Sequence, residues 1–239
     1  MKIEVLFPEF CNLYGDNGNI KFLKACAPDI EIVYTNNQDI PCFVKERVDM
    51  IYMGSMAEAD QITAVARLKP YTERIKELIE DNVIFLITGN AMELFGECIY
   101  DKGQEIPMLG IFPYYADRYI KEERHNSFFM GEFEDMKIIG NKSQFSFIRN
   151  VTENHFAKVL GGCGNSMGDE YEGVNYKNFF ATYLLGPLLV MNPHFTKYLL
   201  RLLNHDDTLA FEQAAFDAYE KQLESMEDKE MLFIFDEHF

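Results

Sequence analysis

An apolar run from Val83 to Thr88, followed at once by Gly89-Asn90, constrains the fold of this chain more than any other feature. A nearly continuous apolar run of this kind indicates a strand buried on both faces of a parallel sheet. Glycine is the ordinary residue for a tight turn, and the helix-like segment Ala91–Glu97 follows the turn. A strand, a sharp turn and a helix in this order form an elbow that lifts one side chain above the sheet.

The rest of the chain alternates between strand-like and helix-like segments, which predicts an α/β fold with helices packed against a mostly parallel sheet. The other predicted strands are Ile3–Phe7, Ile30–Tyr34, Val48–Met53, Leu109–Phe112, Ser127–Phe133, Lys137–Gly140, Phe145–Phe147 and Phe179–Leu185. Apolar residues at helical spacing predict a helical stretch over Ala57–Glu80, which Pro70 breaks or kinks.

The end of the chain has the pattern of packed helices. Pro193 begins a helical tail that we place at residues 194–228, with helices over Thr196–Leu203 and Leu209–Met226. Asp206-Asp207-Thr208 is the predicted N-cap of the second of them. Because no Gly/Ser/Pro-rich linker or internal repeat divides the sequence, we predict a single domain over residues 1–239.

Composition narrows the classes of function. Of the 239 residues, 48% are hydrophobic, so the chain can bury a substantial core. The formal net charge of −17 argues against binding to nucleic-acid phosphates or to anionic membranes, which require clustered Lys and Arg. An acidic surface suits a basic protein partner, although it also serves solubility alone.

The spacing of cysteine and histidine predicts neither disulfides nor a metal site, and we expect no cofactor. The five cysteines are an odd number without a C-x-x-C pair, which fits the reduced thiols of a cytoplasmic protein. The five histidines have no partner at ligand spacing. Met1–Phe7 runs directly into a strand without a charged leader, and no apolar run reaches the roughly 18 residues that a membrane span needs. We therefore expect a cytoplasmic protein.

Two segments match a pair of catalytic motifs. Thr88–Gly96 is similar to Cys-(Gly/Ala)-Gly-aromatic-Gln-Leu-Leu-Gly, and Ala181–Pro193 is similar to Gly-Thr-Tyr-Leu-His-Gly-Pro-Leu-Leu-x-x-Asn-Pro. Both motifs are those of the class I glutamine amidotransferases, of the cobyric-acid-synthase type and of the glutaminase subunits of lipid II isoglutaminyl synthase. The resemblance places Gly89 at the nucleophilic Cys and Leu185 at the general-base His. Because glycine has no side chain to attack an amide and leucine cannot accept a proton, it implies a family frame without its catalytic dyad.

Further segments extend the resemblance over most of the chain. Leu6–Ile20 is similar to the Leu-Tyr-Gly-Asp-x-Gly-Asn opening of the lipid II glutaminase subunits, and Gly162–Gly173 is similar to Gly-x-Gly-Asn-Asn-x-x-Asp-x-x-Glu-Gly. Lys137–Ser146 resembles a family segment that ends in His, with Gln144 at the His position. The fold that the resemblance implies is flavodoxin-like, with a doubly wound, mostly parallel sheet in three layers.

The resemblance also implies where an oxyanion hole lies. Asp49–Gln61 stands in the place of a Gly-Gly-Gly-Gln-Asp-x-Glu-Gln segment, whose backbone N–H groups stabilise negative charge by about 3 kcal/mol each. Gly54 matches one glycine, whereas Ser55 and Met56 replace the next two. Backbone donors do not depend on the side chain, but Met56 is expected to add bulk where a substrate amide would sit. Asn90 is a further candidate of the same pocket.

The ligands and partners follow from the family likeness as well. Arg124 is a candidate for binding a substrate carboxylate, since the family uses a basic residue in this region, and a solvated arginine is the alternative. A synthetase subunit of the Mur-ligase-like type, which receives ammonia, is the implied protein partner. A small molecule in the glutamine pocket is the implied ligand. The pathways that the resemblance implies are peptidoglycan or cobalamin biosynthesis.

Three hypotheses for the function remain open at this point. The first is a non-catalytic glutaminase homologue that binds a partner protein or a small ligand. The second is an enzyme of different chemistry, such as a hydrolase that uses Cys11 or Cys163. The third is an unorthodox glutaminase that still supplies ammonia to a synthetase subunit. Cys98 is expected to be a packed thiol.

Overall fold

A computed structural model describes residues 1–118 and 124–226. Its strands, in chain order, are β1 Lys2–Leu6, β2 Glu31–Thr35, β3 Met50–Met53, β4 Ile84–Thr88, β5 Cys98–Asp101, β6 Gln104–Pro107, β7 Tyr115–Arg118, β8 His125–Phe133, β9 Met136–Gln144, β10 Ser146–Arg149, β11 Ala157–Gly161, β12 Tyr171–Glu172, β13 Val174–Tyr176 and β14 Phe179–Thr182. Its α-helices are α1 Asn17–Cys26, α2 Cys42–Lys45, α3 Glu58–Leu68, α4 Thr72–Glu80, α5 Leu188–Met191, α6 Pro193–Leu202 and α7 Glu212–Met226. Two 3-10 helices span Lys69–Tyr71 and Gly89–Phe95.

A six-stranded sheet forms the centre of the fold, in the order β13-β14-β4-β3-β1-β2. All neighbouring strands run parallel except β13, which is antiparallel to β14. The strand β4 is buried along its whole length, and its side chains alternate between two cores. Phe85 and Ile87 face the core that α3 and α4 cover, whereas Ile84 and Leu86 face the core that α1 and α6 cover. The predicted doubly wound α/β sheet with helices on both faces is confirmed.

Two small sheets flank this centre. One has the order β10-β7-β5-β6, and its buried residues join the core of α3 and α4. The other has the order β12-β11-β8-β9 and contributes Phe129 and Phe133 to the core of α1 and α6. The helix α7 packs on the outside of this second sheet, where Tyr219 and Met226 meet Met130. We predicted several of these strands, but not their grouping into separate sheets.

Pro70 breaks the helical stretch before α4, as predicted. The helix α3 ends at Leu68, a 3-10 turn carries Pro70, and α4 begins at Thr72. Proline lacks the N–H that an uninterrupted helix would need at this position. No helix within residues 1–118 and 124–226 has the length and apolar character that crossing a membrane requires.

Several predicted boundaries are wrong. Leu109–Phe112 is not a strand, because its N–H groups donate to the carbonyls of Leu94, Gly96 and Phe95 at the end of the second 3-10 helix. The helix predicted at Ala91–Glu97 is this 3-10 helix, which ends at Phe95. Cys98 therefore begins a strand and does not continue a helix.

The later boundaries shift by a few residues. The strand predicted at Phe179–Leu185 ends at Thr182, and the one predicted at Phe145–Phe147 is Ser146–Arg149. Asp206 does not cap α7, which begins at Glu212, because Asp206 accepts from the Thr208 N–H inside the preceding loop. Positions 227 and 228 of the predicted tail lie outside the described residues. The single domain over 1–239 stays a prediction.

Candidate functional site

The turn after β4 has the backbone of an elbow but carries no side chain. Gly89 has a φ of +62°, a conformation that residues with a Cβ adopt only at a cost. A Cβ built on Gly89 would lie 2.5 Å from the Cβ of Ser55. Ser55 lies in the loop after β3, the strand that pairs with β4. Two carbon atoms cannot approach this closely without displacement of one of them. The side chain of Ser55 therefore fills the space above the elbow.

The buried carboxylate of Asp16 holds Ser55 in this position. Asp16 accepts hydrogen bonds from the Ser55 hydroxyl at 2.7 Å and from the Ser55 backbone N–H at 3.2 Å. The Thr88 hydroxyl donates to the same carboxylate at 3.1 Å, and so does the Tyr14 N–H. Asp16 is fully buried, so these donors take the place of water. The loops after β3 and β4 are thus tied to the segment that precedes α1.

A cavity of about 250 Å³ opens beside the elbow. It lies at the carboxyl end of the parallel strands, which is the usual ligand position in open α/β sheets. We call it the elbow cavity, and its lining residues are Leu13, Tyr14, Ser55, Ala57, Glu58, Gly89, Asn90, Glu93, Arg124, Ser143, Gln144, Phe145, Ser146, Tyr183 and Leu185. Six residues that we selected from the sequence meet here, namely Ser55, Gly89, Asn90, Arg124, Gln144 and Leu185.

Gly54 and Met56 are not among the residues that line the elbow cavity. The side chain of Met56 is fully buried in the core of α3 and α4, so it does not add bulk where a substrate amide would sit. The Met56 N–H donates to Asn90 Oδ1 at 3.0 Å, and Asn90 Nδ2 donates to the Met56 carbonyl at 2.8 Å. A donor that is already bonded in this way is not free for an oxyanion. A Cβ on Gly54 would lie 2.5 Å from that of Asp16.

The wall of the elbow cavity contains a buried acidic group that we did not predict. Glu93 accepts from the Tyr183 hydroxyl and from Gln61 Nε2, each at 3.0 Å, and forms an ion pair with Arg118 at 3.3 Å. Burial raises the pKa of the Glu93 carboxyl, while Arg118 acts in the opposite direction. In the nucleophile motif Glu93 stands at the Gln position, and this departure is the signal that could have identified it.

A second buried ion pair supports the strand that leads to Leu185. Lys142 Nζ lies 3.2 Å from Glu172, and both side chains are completely buried. Glu172 also accepts from the Thr182 hydroxyl and from the Tyr183 N–H, each at 2.8 Å. The ammonium lies over the ring of Tyr183, which lines the elbow cavity. We matched Glu172 to a family motif without foreseeing this role, and no sequence signal indicated Lys142.

Two polar groups of the elbow cavity retain bonding capacity. Gln144 Nε2 donates to the Ser146 carbonyl at 2.7 Å, but its buried Oε1 has no hydrogen-bond partner among the described residues. Arg124 contacts the Tyr14 hydroxyl at 2.9 Å and lies 4.5 Å above the ring of Phe145. No carboxylate in the described part of the chain forms an ion pair with Arg124. A ligand with a hydrogen-bond donor for Gln144 Oε1 and an anionic group for Arg124 matches these two side chains.

The two thiols considered as replacement nucleophiles lie elsewhere. Cys11 is buried in the core of α3 and α4, and this burial raises the pKa of its thiol. Cys163 lines a separate cavity of about 130 Å³ together with His125. Burial raises the pKa of the Cys163 thiol as well. Its Sγ lies 3.6 Å from the Gly164 carbonyl. A protonated, desolvated thiol is a poor nucleophile.

The chemistry available in the elbow cavity follows from its side chains. The cavity contains hydroxyl, amide, carboxyl and guanidinium groups, and within residues 1–118 and 124–226 no Cys or His lines it. The Ser55 hydroxyl donates a hydrogen bond to the Asp16 carboxylate, which also accepts from the Ser55 N–H and the Thr88 hydroxyl. These groups suit binding by hydrogen bonds and charge.

Comparisons with known proteins show what this chain is similar to. Residues 2–193 match the model of the CobB/CobQ-like glutamine amidotransferase domain. The GatD subunit of the glutamine-hydrolyzing lipid II isoglutaminyl synthase of Staphylococcus aureus (strain N315) is 30% identical over 217 residues, covering 86% of this chain and 85% of that protein. The GatD subunit of Streptococcus pneumoniae (strain ATCC BAA-255 / R6) is 26% identical over 205 residues, covering 80% and 76%.

Two solved structures share the fold. A glutamine amidotransferase crystal structure has a TM-score of 0.56 at 16% identity, covering 84% of this chain and 98% of that one. A glutamine amidotransferase from Thermotoga maritima has a TM-score of 0.50 at 12% identity, covering 97% and 88%. The family model, the GatD relatives and the shared architecture lead to one assignment: this chain belongs to the CobB/CobQ-like glutamine amidotransferase family.

Proposed function

We propose that this chain is a glutamine-amidotransferase-like protein without glutaminase activity, which acts in the cytoplasm as a binding subunit. The observation that carries the proposal is the pairing of Gly89 with Ser55. The elbow lacks a nucleophilic side chain, and the Ser55 side chain fills the space where one would begin. Loss of the nucleophile therefore comes with a second change that makes its return difficult.

The second group that a glutaminase would need and that we propose is absent is the general base. Leu185 lines the elbow cavity at the position that the resemblance gives to His. Residues of one catalytic unit act together, so losing the nucleophile and the base forfeits nearly the whole covalent route. Cys11 and Cys163 lie outside the elbow cavity, and no specific observation favours a hydrolase built on either of them.

The proposed partner is a synthetase subunit of the Mur-ligase-like type. The relatives in Staphylococcus aureus and Streptococcus pneumoniae are both named as subunits of a synthase, which supports the idea that this chain also works in a complex. Those names favour peptidoglycan over cobalamin synthesis as its pathway. The mouth of the elbow cavity is the proposed contact region, since Leu13 lies there with its side chain half exposed.

The elbow cavity is proposed to bind a small molecule without converting it. The unpartnered Gln144 Oε1 accepts a hydrogen bond from the ligand, and Arg124 binds its anionic group. An unsatisfied buried acceptor costs about 1–3 kcal/mol, which a bound donor recovers. Glutamine and glutamate both carry such groups and are the first probes to use.

Affinity purification from the native cytosol tests the partner. The tagged chain should retain a synthetase-like subunit, identified by mass spectrometry, and Leu13→Asp should lose it. Leu160→Asp is the matched control, because Leu160 has a similar exposure and does not line the elbow cavity. Retention of the same subunit by Leu13→Asp would contradict the proposed contact region. Recovery of no synthetase-like subunit would contradict the proposed partner.

Calorimetry tests the ligand. Glutamine or glutamate should bind to the chain with no release of ammonia, and Arg124→Ala should weaken binding at least tenfold, since a hydrogen bond to a charged group is worth roughly 1.5–3 kcal/mol. Arg47→Ala is the control, because Arg47 is exposed and distant from the elbow cavity. Equal binding by both variants would contradict the role of Arg124.

A further inference from the structure

A second cavity, of about 420 Å³, lies at the opposite end of the central sheet. We call it the edge cavity, because β13 forms one wall and β13 is the edge strand of the sheet. The end of α4 and the loops 111–114 and 150–154 form the other walls. Since α4 ends just before β4 begins, this cavity lies near the amino ends of the strands. It shares no lining residue with the elbow cavity.

Hydrogen bonds between its walls fix the shape of the edge cavity. Asn150 Nδ2 donates to the Pro113 carbonyl at 2.7 Å and joins the two loops. The Asn175 N–H donates to the Asn154 carbonyl at 2.6 Å and joins the second loop to β13. The Tyr176 hydroxyl donates to Glu80 at 3.2 Å and joins β13 to α4. Each wall is thus tied to a neighbour, so the cavity is preformed and does not depend on a ligand to open it.

Aromatic rings determine what the edge cavity can recognise. The rings of Phe112 and Tyr176 are half-buried, and they stand 6.1 Å apart at an angle of 72°. They form a corner in which a planar ligand stacks on one ring and meets the edge of the other, the two arrangements that aromatic pairs prefer. Ile79 and Val174 add apolar surface. The volume lies within the range of about 300–1,000 Å³ that is typical of small-molecule sites.

The charges around the edge cavity disfavour an anionic ligand. The ammonium of Lys76 is paired with Glu73 at 2.9 Å, and the carboxylate of Glu80 is paired with Lys177 at 2.7 Å. Glu153, at the mouth, forms no ion pair with any residue in the described ranges, so within them its negative charge is uncompensated. The net charge of −17 adds to this field. A positive charge on the ligand is therefore favoured near Glu153.

We infer that the edge cavity is a second ligand site, which binds a planar aromatic compound with a positive charge. The ring rests in the corner of Phe112 and Tyr176, and the charge faces Glu153 at the mouth. Because the edge cavity and the elbow cavity have separate walls, this site is independent of the proposed binding function and of any synthetase partner.

Fluorescence titration with berberine, a planar cationic dye, tests the site directly. Berberine should bind saturably at one site per chain, and anilinonaphthalene sulfonate, an aromatic anion, should not compete with it. Thr152→Trp places an indole at the mouth of the cavity and should weaken berberine binding at least tenfold. Thr152 is exposed, so this substitution leaves the core intact. Leu160→Trp, at another exposed position, should leave the affinity unchanged.

A separate variant, Glu153→Gln, tests where the positive charge of the ligand lies. Glu153→Gln should weaken berberine binding about threefold at low salt and less at high salt, as an exposed charge does. No saturable binding to the unmodified chain would overturn the inference. Equal affinity for a Thr152→Trp variant with an unchanged thermal unfolding midpoint would overturn it too. Competition by the anionic dye, or an unchanged affinity for Glu153→Gln at low salt, would overturn the assignment of a cationic ligand.

Discussion

The Cβ of Ser55 lies 2.5 Å from the point where a Cβ on Gly89 would stand. The motif that the sequence resembles has glycine at position 55 and a side chain at position 89, and this chain has the reverse arrangement. The two changes are complementary in volume, and the carboxylate of Asp16 anchors the new side chain at 2.7 Å. The Ser55 side chain therefore occupies the space where a side chain at position 89 would begin.

Restoring a side chain at the elbow should destabilise the protein. Gly89→Cys introduces both the strain of a positive φ and a clash with Ser55, and we expect a loss of about 2–4 kcal/mol in the free energy of unfolding. Urea denaturation measures the loss. Gly103→Cys is the control, because Gly103 has a φ of +79° but no atom within 4 Å of its built Cβ. It should lose about 1 kcal/mol. Equal losses for the two variants would contradict the clash.

Removing the Ser55 side chain should be necessary for any catalytic rescue. We expect Gly89→Cys with Leu185→His to release no ammonia from glutamine, and only the triple variant that adds Ser55→Gly to do so. The reason is that the nucleophile must stand where Ser55 now lies. The triple variant with Ala instead of Cys at position 89 is the thiol-free control. Equal activity of the double and triple variants would show that Ser55 does not obstruct the elbow.

The buried pair of Lys142 and Glu172 should matter more than any surface pair. Lys142→Met leaves a carboxylate buried without its cation, and we expect a loss of about 3–5 kcal/mol in the free energy of unfolding. Adding Glu172→Gln should recover part of the loss, because it removes the unpaired buried charge, while the amide oxygen still accepts from the Tyr183 N–H and the amide nitrogen donates to the Thr182 hydroxyl.

Chemical denaturation of the single and double variants measures this coupling. Lys177→Met breaks an exposed pair with Glu80 and should change stability little. A double variant that is no more stable than Lys142→Met alone would contradict the proposed pairing.

The stability of the protein should depend on the protonation of Glu93. Burial raises the pKa of this carboxyl in the folded state above its usual value of 4.5, so the folded state holds its proton more tightly than the unfolded state does. The stability that this protonation provides is complete below pH 4.5 and declines as the pH rises to the folded-state pKa. Relative to Glu93→Gln, the wild type should thus lose stability over this window.

Urea denaturation of both proteins at several pH values measures that difference. The sign is decisive, because a carboxyl whose ion pair with Arg118 prevailed would have a lowered pKa, and the wild type would gain stability with rising pH instead. Glu77→Gln, at an exposed position, is the control for the effect of the substitution itself on unfolding. A relative gain for the wild type would contradict a raised pKa for the Glu93 carboxyl.

The sequence revealed the central sheet because its signals are local. The apolar run before Gly89 identifies a strand buried on both faces, and Pro70 marks the break before α4. The strand prediction for Leu109–Phe112 was wrong for a physical reason. Its apolar side chains pack at the rim of the core, but its backbone bonds to the end of a 3-10 helix and not to a strand.

The site was predicted as a set of positions but not as a geometry. The motifs identified Gly89, Leu185 and Gln144 through the family resemblance, and all three line the elbow cavity. They could not show that Met56 turns into the core while Ser55 faces the elbow, because adjacent residues of a loop do not alternate in a fixed pattern. The role of Arg118 could not be predicted either, because its ion-pair partner Glu93 lies on a different sequence segment.

Ammonia release from glutamine by the unmodified chain is the most direct test of the central claim. The assay should be run with the purified chain alone and again with the synthetase-like partner that affinity purification recovers. We predict no release above the buffer rate in either case, because neither a thiol nor an imidazole of the described residues lines the elbow cavity. Sustained release that scales with the concentration of the chain, and that Ser55→Ala or Leu185→Ala abolishes, would contradict it.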